Sequence, residues 1–213
     1  GLGHVPSVVT IHDVVYKSLP STLPLANWLT EFVFMPRSVR RARLVITPSE
    51  KTKSEVVEYF GVCQAKVVCI PLGTDYGPPH VEASQGDKTV RYFLFVGGDH
   101  PRKNLHLCLR AASGLLQSNP DDHWELRIAG SIQKPRKLQK AIVQLGLIDK
   151  IKLLGRLSDS ELASQYAFCT ALLMPSLHEG FGLPVVEAAR YAKPAIVSRG
   201  TALEGLSRGS IDV

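Results

Sequence analysis

The sequence predicts an α/β protein with mostly parallel, doubly wound sheets, and three observations lead there. Short apolar strands alternate with helical segments over most of the chain, as where Tyr92-Phe-Leu-Phe-Val96 is followed by a helix from Leu105 to about Leu116. Glycines stand where strands run into helices, at Gly97-Gly98 and at Gly180 and Gly182. Between two such series, Gly77-Pro-Pro-His-Val-Glu-Ala-Ser-Gln-Gly86 is turn-rich and loses all apolar periodicity. It marks a linker over 77–90 between a partial N-terminal domain, 1–76, and a C-terminal domain, 91–213.

In order, Val8-Val-Thr-Ile11 reads as a strand, with His12 at its carboxyl end, where open α/β sheets place ligands. The chain opens almost directly on this strand and without methionine, so an N-terminal truncation is expected. Leu23 to Val39 carries Trp28, Leu29, Phe32 and Val33 at helical spacing, which predicts a core face, and Pro36 is expected to kink or divide the helix. Arg37-Ser-Val-Arg-Arg-Ala-Arg43 is a basic cluster, either a solvated face or a contact for an anionic membrane or a phosphorylated acceptor. Leu44 to Thr47 is a strand, Ser49 caps a helix from Glu50 to Phe60, and Gly61 closes it. Lys66 to Ile70 is the last strand before the linker.

In the second series Asn104 is expected to cap the helix after Arg102 and Lys103, leaving two cations at its positive end as an anion pocket. Trp124 to Ala129 and Ile151 to Leu154 are strands around a basic helix, and Ser158-x-x-Glu161 is a capping box opening a helix to about Phe168. Ala171 to Met174 is a strand leading into His178-Glu-Gly-Phe-Gly-Leu-Pro184. Pro184 suits the start of a helix from Leu183 to Ala192, which places Glu187 in its first turn, and Lys193-Pro194 stops the helix before another strand. Amides at such a helix start favour an anion, while Glu179 and Glu187 suit sugar hydroxyls, a combination pointing to a sugar nucleotide.

Bulk properties narrow the classes. At 213 residues, 45% hydrophobic and 21% charged, the composition is that of a globular protein, with no apolar run approaching a membrane span and no signal-peptide pattern at the start. Four cysteines without a C-x-x-C pair fit a reduced, cytoplasmic protein. A net charge of +6 and pI near 9.2 favour an anionic partner, whether nucleotide, nucleic acid or acidic membrane. An ordered G-x-G-x-x-G, a P-loop and aromatics interleaved with the basic run are lacking, which ranks a non-sugar nucleotide- or nucleic-acid-binding module last.

Glu179-Gly-Phe-Gly-Leu-Pro-Val-Val-Glu187-Ala followed by Lys193-Pro194 resembles the E-x7-E signature of the retaining GT-B glycosyltransferases of family 4, also called group 1. Pro71-Leu-Gly-Thr-Asp75 resembles the turn that leaves that family's N-terminal domain. The resemblance, running from Val8 to Ser198, implies a partial Rossmann-like domain followed by a nucleotide-binding domain. It implies transfer of a sugar from a nucleotide-diphosphate sugar to a saccharide or lipid-linked acceptor, with retention and without metal or other cofactor. It assigns His12 and Glu179 to the transferred sugar, and Gly97, Gly98, Arg102, Lys103, Arg156, Gly180, Phe181, Gly182, Leu183 and Glu187 to the rest of the donor. No nucleic-acid partner is expected. Membrane contact through Arg37, Arg40, Arg41 and Arg43 would put the protein at the inner face of a membrane. After Ser198 the chain departs from the family pattern, which leaves a weakly active nucleotide-binding fragment as the alternative.

Overall fold

The computed structural model describes residues 5–22, 25–73 and 90–206, with the side chains of residues 25–27 left aside. Most of the expected linker, together with Thr74 and Asp75, lies outside the described residues. The chain divides into two compact units. One contains the chain up to Gly73 with His178–Gly182 and Gly200–Leu206; the other runs to Leu177 and resumes over Leu183–Arg199.

The first unit holds a three-stranded parallel sheet, β1 (Val8–Thr10), β2 (Leu44–Thr47) and β3 (Val67–Cys69), in that order. A short helix α1 (Val15–Ser18) and the long α2 (Leu25–Arg41) connect β1 to β2, and α3 (Glu50–Phe60) connects β2 to β3. Ile11, Val14, Tyr16, Val39, Val45, Val56 and Phe60 form the core. The caps of α3 are as the sequence predicts: the Ser49 hydroxyl accepts from the Thr52 amide, and Gly61 ends the helix in the left-handed region at φ 62°.

One expectation for α2 needs correction and another is narrowed. Leu29 and Phe32 are exposed, at 53% and 44%, as is Phe34, whereas Trp28 and Val33 are half-buried, and Trp28 donates from Nε1 to the Tyr16 carbonyl. An amphipathic spacing fixes which residues share a face but not how wide the covered stripe is. Of the two outcomes expected at Pro36, a kink or a division, division is excluded, because the helix runs unbroken from Leu25 to Arg41. Side chains satisfy carbonyls next to the proline's break in the ladder: Arg37 Nη1 donates to Val33 O at 2.7 Å and Ser38 Oγ to Phe34 O at 2.9 Å.

The second unit is a five-stranded parallel sheet in the order β6-β5-β4-β7-β8: β4 (Arg91–Val96), β5 (Trp124–Ala129), β6 (Ile151–Gly155), β7 (Ala171–Met174) and β8 (Ala195–Val197). Its helices are α4 (Leu105–Ser118), α5 (Pro135–Gln144), α6 (Asp159–Phe168) and α7 (Leu183–Arg190). The capping box is complete, since Ser158 and Glu161 each accept from the other's backbone N–H. Strands buried on both faces, such as β7, read as near-continuous apolar runs, and Phe95, Leu109, Leu126, Ile128, Leu138 and Leu147 fill the core of this unit. The chain leaves β4 toward β5 and β6, then crosses back to lay β7 on β4's other edge, pairing Phe93 with Ala171. Strand order reverses there, between β4 and β7, and in open α/β sheets ligands bind outside the carboxyl ends of the strands at such a point.

Candidate functional site

The loops after β4 and β7 flank this reversal, and they carry most of the predicted donor residues. Two hydrogen bonds tie them together: the Leu177 amide donates to Arg102 O at 2.8 Å, and Asn104 Nδ2 donates to Pro175 O at 3.1 Å. Asn104 therefore does not cap α4 as expected. It sits in the left-handed region at φ 54° with no side-chain cap bond, its amide having been recruited to the neighbouring loop.

The glycines of the first loop are there because backbones touch. Gly97 adopts φ 138° and Gly98 φ 66°. A Cβ on Gly98 would lie 2.1 Å from the Ser131 carbonyl oxygen, and one on Gly97 would meet the aliphatic stem of Lys103 at 3.1 Å. Ser131, which sequence reasoning missed, also accepts from Arg156 Nε through its hydroxyl at 2.9 Å. Gly97, Gly98, Lys103, Ser131 and Arg156 thus form one connected set at the carboxyl ends of β4, β5 and β6, a bare backbone surface with two cations beside it.

Glu187 stands in the second turn of α7 rather than the first, because the helix starts at Leu183. The dipole of the helix start is consequently not why an acid is here. Tyr166 of α6, 2% exposed, donates its hydroxyl to Glu187 Oε2 at 2.6 Å. Burial first, and then the Glu187 charge, push the Tyr166 phenol far above its usual range, so the hydroxyl stays protonated and remains a donor. Tyr191 stacks on the Tyr166 ring at 6.2 Å between centroids. One Glu187 oxygen is fixed by tyrosine, and the carboxylate retains acceptor capacity for a hydroxyl. Nothing in the linear spacing pairs Tyr166 with Glu187. Ser176, fully buried and with no hydrogen-bond partner for its hydroxyl, is a second polar group at this loop that the sequence did not single out.

Residues 178–182 belong with the first unit, where Glu179, Gly180, Phe181 and Gly182 are all buried. Gly180 lies against β1's continuation so closely that a Cβ would sit 1.8 Å from the His12 carbonyl oxygen. The His12 side chain is exposed, so its neighbourhood to this loop is one of backbones. Gly182, at φ 112°, leaves room for Leu203, whose Cδ2 would be 2.2 Å from an added Cβ. Leu183 is 39% exposed. In the second unit, a cavity of about 620 Å³ between α4 and α5, lined by His100, Asn104, Leu109, Lys134 and Lys137 among others, takes in none of the predicted site residues.

Comparison with known proteins gives these features a family. Residues 79–205 match the family model of the glycosyl transferases group 1, and residues 1–77 that of glycosyltransferase family 4. The MMP alpha-(1->4)-mannosyltransferase of Mycolicibacterium hassiacum is 28% identical over 207 residues, covering 93% of this chain and 49% of that protein. The O-antigen chain mannosyltransferase RfbU of Salmonella typhimurium is 28% identical over 190 residues, 89% of this chain and 51% of that one. The chain spans about half the length of the curated relatives it matches. Among solved structures, Anabaena HepE in complex with UDP-glucose superposes with a TM-score of 0.76 at 20% identity, covering 98% of this chain and 58% of that one. WaaG, a glycosyltransferase involved in lipopolysaccharide biosynthesis, gives 0.76 at 17% identity over 100% of this chain and 63% of that one. The fold is that of the GT-B glycosyltransferases, and the chain belongs to the glycosyl transferases group 1.

Proposed function

We propose that this chain serves the transfer of a hexosyl group from a nucleotide-diphosphate sugar to an acceptor hydroxyl, with retention at the anomeric carbon and without a metal. The observation that carries the reading is the pair of hydrogen-bonded loops at the strand-order reversal, which gathers Gly97, Gly98, Arg102 and Lys103 beside the start of the β7–α7 loop. When the bond from the anomeric carbon to the diphosphate oxygen breaks, charge develops on the leaving group. Fixed cations and backbone amides stabilise it there without reorganising. Arg102, Lys103, Arg156 and the amides of Gly180 to Leu183 take that role, Glu187 accepts from the ribose, and Glu179 and His12 accept or donate to hydroxyls of the transferred sugar. The acceptor oxygen bonds to the same face of the sugar and gives up its proton to the departing diphosphate oxygen.

Calorimetric titration of the chain with UDP, GDP and ADP, with and without chelator, tests this. One nucleotide is expected to bind in the micromolar range, roughly 8 kcal/mol, unaffected by chelator and lost in Lys103→Ala. A folded chain that binds none of the three would sink the donor site and favour the inactive-fragment alternative.

The acceptor side draws on α2. Exposed Leu29, Phe32 and Phe34 share that helix with exposed Arg37, Arg40 and Arg41, and Arg43 follows it. Apolar side chains next to cations fit an anionic membrane surface, where each basic residue contributes about 1 kcal/mol. The chain is expected to float with vesicles containing acidic lipid and to stop doing so once Arg40, Arg41 and Arg43 are changed to Ser. Flotation that the triple variant leaves intact would remove the membrane from the reading. No helix among the described residues is long and apolar enough to cross a membrane.

A further inference from the structure

We infer that Glu55 and His178 are positioning residues, with Ser49 and Thr52, and that they fasten the loop carrying Glu179 and Gly180 to helix α3 before any donor arrives; the inference rests on the function proposed above. Ser49, Thr52 and Glu55 are spaced by three, which puts them on one face of α3. Val56 and Phe60 turn to the core instead, so the helix has one apolar and one polar packed face. Both hydroxyls donate to the Gly180 carbonyl, Ser49 Oγ at 2.6 Å and Thr52 Oγ1 at 3.0 Å. One turn further on, Glu55 Oε2 lies 3.1 Å from His178 Nε2, with the two side chains 6% and 7% exposed, while Lys51 Nζ approaches Glu55 Oε1 at 3.4 Å.

A carboxylate taken out of water is strongly disfavoured unless it is paired and hydrogen-bonded. The other acids of α3, Glu50 and Glu58, stay exposed. Glu55 alone is buried, and its partner is the residue that precedes Glu179. A loop held at two consecutive points, the His178 ring and the Gly180 carbonyl, has few ways to move the intervening Glu179. Fixing a binding loop beforehand reduces the ordering cost at the moment of binding, and its loss appears as lost affinity.

The test compares the affinity of whichever of UDP, GDP and ADP the unaltered chain binds with the melting temperature, across four variants. Glu55→Ala is expected to weaken binding at least about tenfold. Glu55→Gln, whose amide oxygen still accepts from His178, is expected to stay within about threefold. Val56→Ala hollows the core under the same helix without touching the loop; it should melt earlier yet bind within about threefold. Thr52→Val removes one hook on Gly180 without leaving a buried charge, and an approximately fivefold loss is expected. If Glu55→Ala does not fold, Thr52→Val decides. Affinities in Glu55→Ala and Thr52→Val no lower than in Val56→Ala would overturn the positioning role while leaving the donor site standing. A folded unaltered chain that binds no nucleotide would overturn the donor site itself, and the inference with it.

Discussion

Glu179→Ala and Glu187→Ala are each expected to slow turnover of the nucleotide sugar at least about a hundredfold, equivalent to about 2.7 kcal/mol of transition-state stabilisation. For Glu187 the argument is local. Its carboxylate already accepts from a tyrosine that is buried and kept protonated, so the remaining acceptor capacity is held in one orientation rather than sampled by a free side chain. Alanine removes the acceptor proposed for the ribose and at the same time leaves the Tyr166 hydroxyl buried without its partner, at roughly 1–3 kcal/mol. Tyr166→Phe separates the two effects. It keeps the carboxylate and loses only its fixation, so turnover is expected to fall about tenfold, between the unaltered chain and Glu187→Ala. Glu179 is 6% exposed, and truncating a buried polar group that a ligand hydroxyl would bond costs roughly 2–5 kcal/mol. Steady-state rates with melting temperatures alongside decide the matter. Near-normal turnover in a folded Glu179→Ala or Glu187→Ala would reject that residue's role.

What could be read from the sequence follows the range of the interaction. β2, the start and end of α3, the capping box of α6 and the strands β4, β5 and β7 are legible because period, cap and stop signals act within a few residues. The E-x7-E segment is legible for a different reason: it resembles a family signature, and residues 79–205, which contain it, match that family's model. The strand order is not local. That β7 pairs with β4 and not with β6 depends on a crossover, and it is this pairing that brings Arg102 to Leu177.

The same distinction explains the misses. Asn104 has the right type and position for a cap, yet a carbonyl 71 residues away in sequence takes its side chain. The Glu187 partner is 21 residues upstream, and the Glu55 partner is 123 residues downstream. Leu29 and Phe32 have helical spacing, but the core beneath α2 reaches only as far as Trp28, Met35 and Val39. Local pattern names a face; only packing decides how much of it is covered.

Gly98→Ala is expected to be the most damaging single methyl addition in the second unit, and Gly146→Ala shows why. Both glycines have left-handed backbones, φ 66° and φ 69°, so alanine is strained at either place by about 1–2 kcal/mol. Around Gly146 an added Cβ meets nothing within 4 Å, and strain is the whole cost. Gly146→Ala should therefore lower the melting temperature by roughly 3–8 °C. At Gly98 the same atom would lie 2.1 Å from the Ser131 carbonyl oxygen, and from the other side a Cβ on Gly130 would lie 2.5 Å from the Gly98 nitrogen. Two backbones meet there with no side chain between them, so relief requires moving a loop rather than turning a rotamer. That places the cost among the exceptional single substitutions, above about 4 kcal/mol, with a fall in melting temperature of more than about 12 °C. The displaced residue would be Ser131, whose hydroxyl holds Arg156, so whatever folded protein remains is also expected to lose nucleotide affinity. If Gly98→Ala melts within the range of Gly146→Ala and binds nucleotide normally, the β4 and β5 loops do not need to touch, and the glycine pair has no part in shaping the proposed phosphate site.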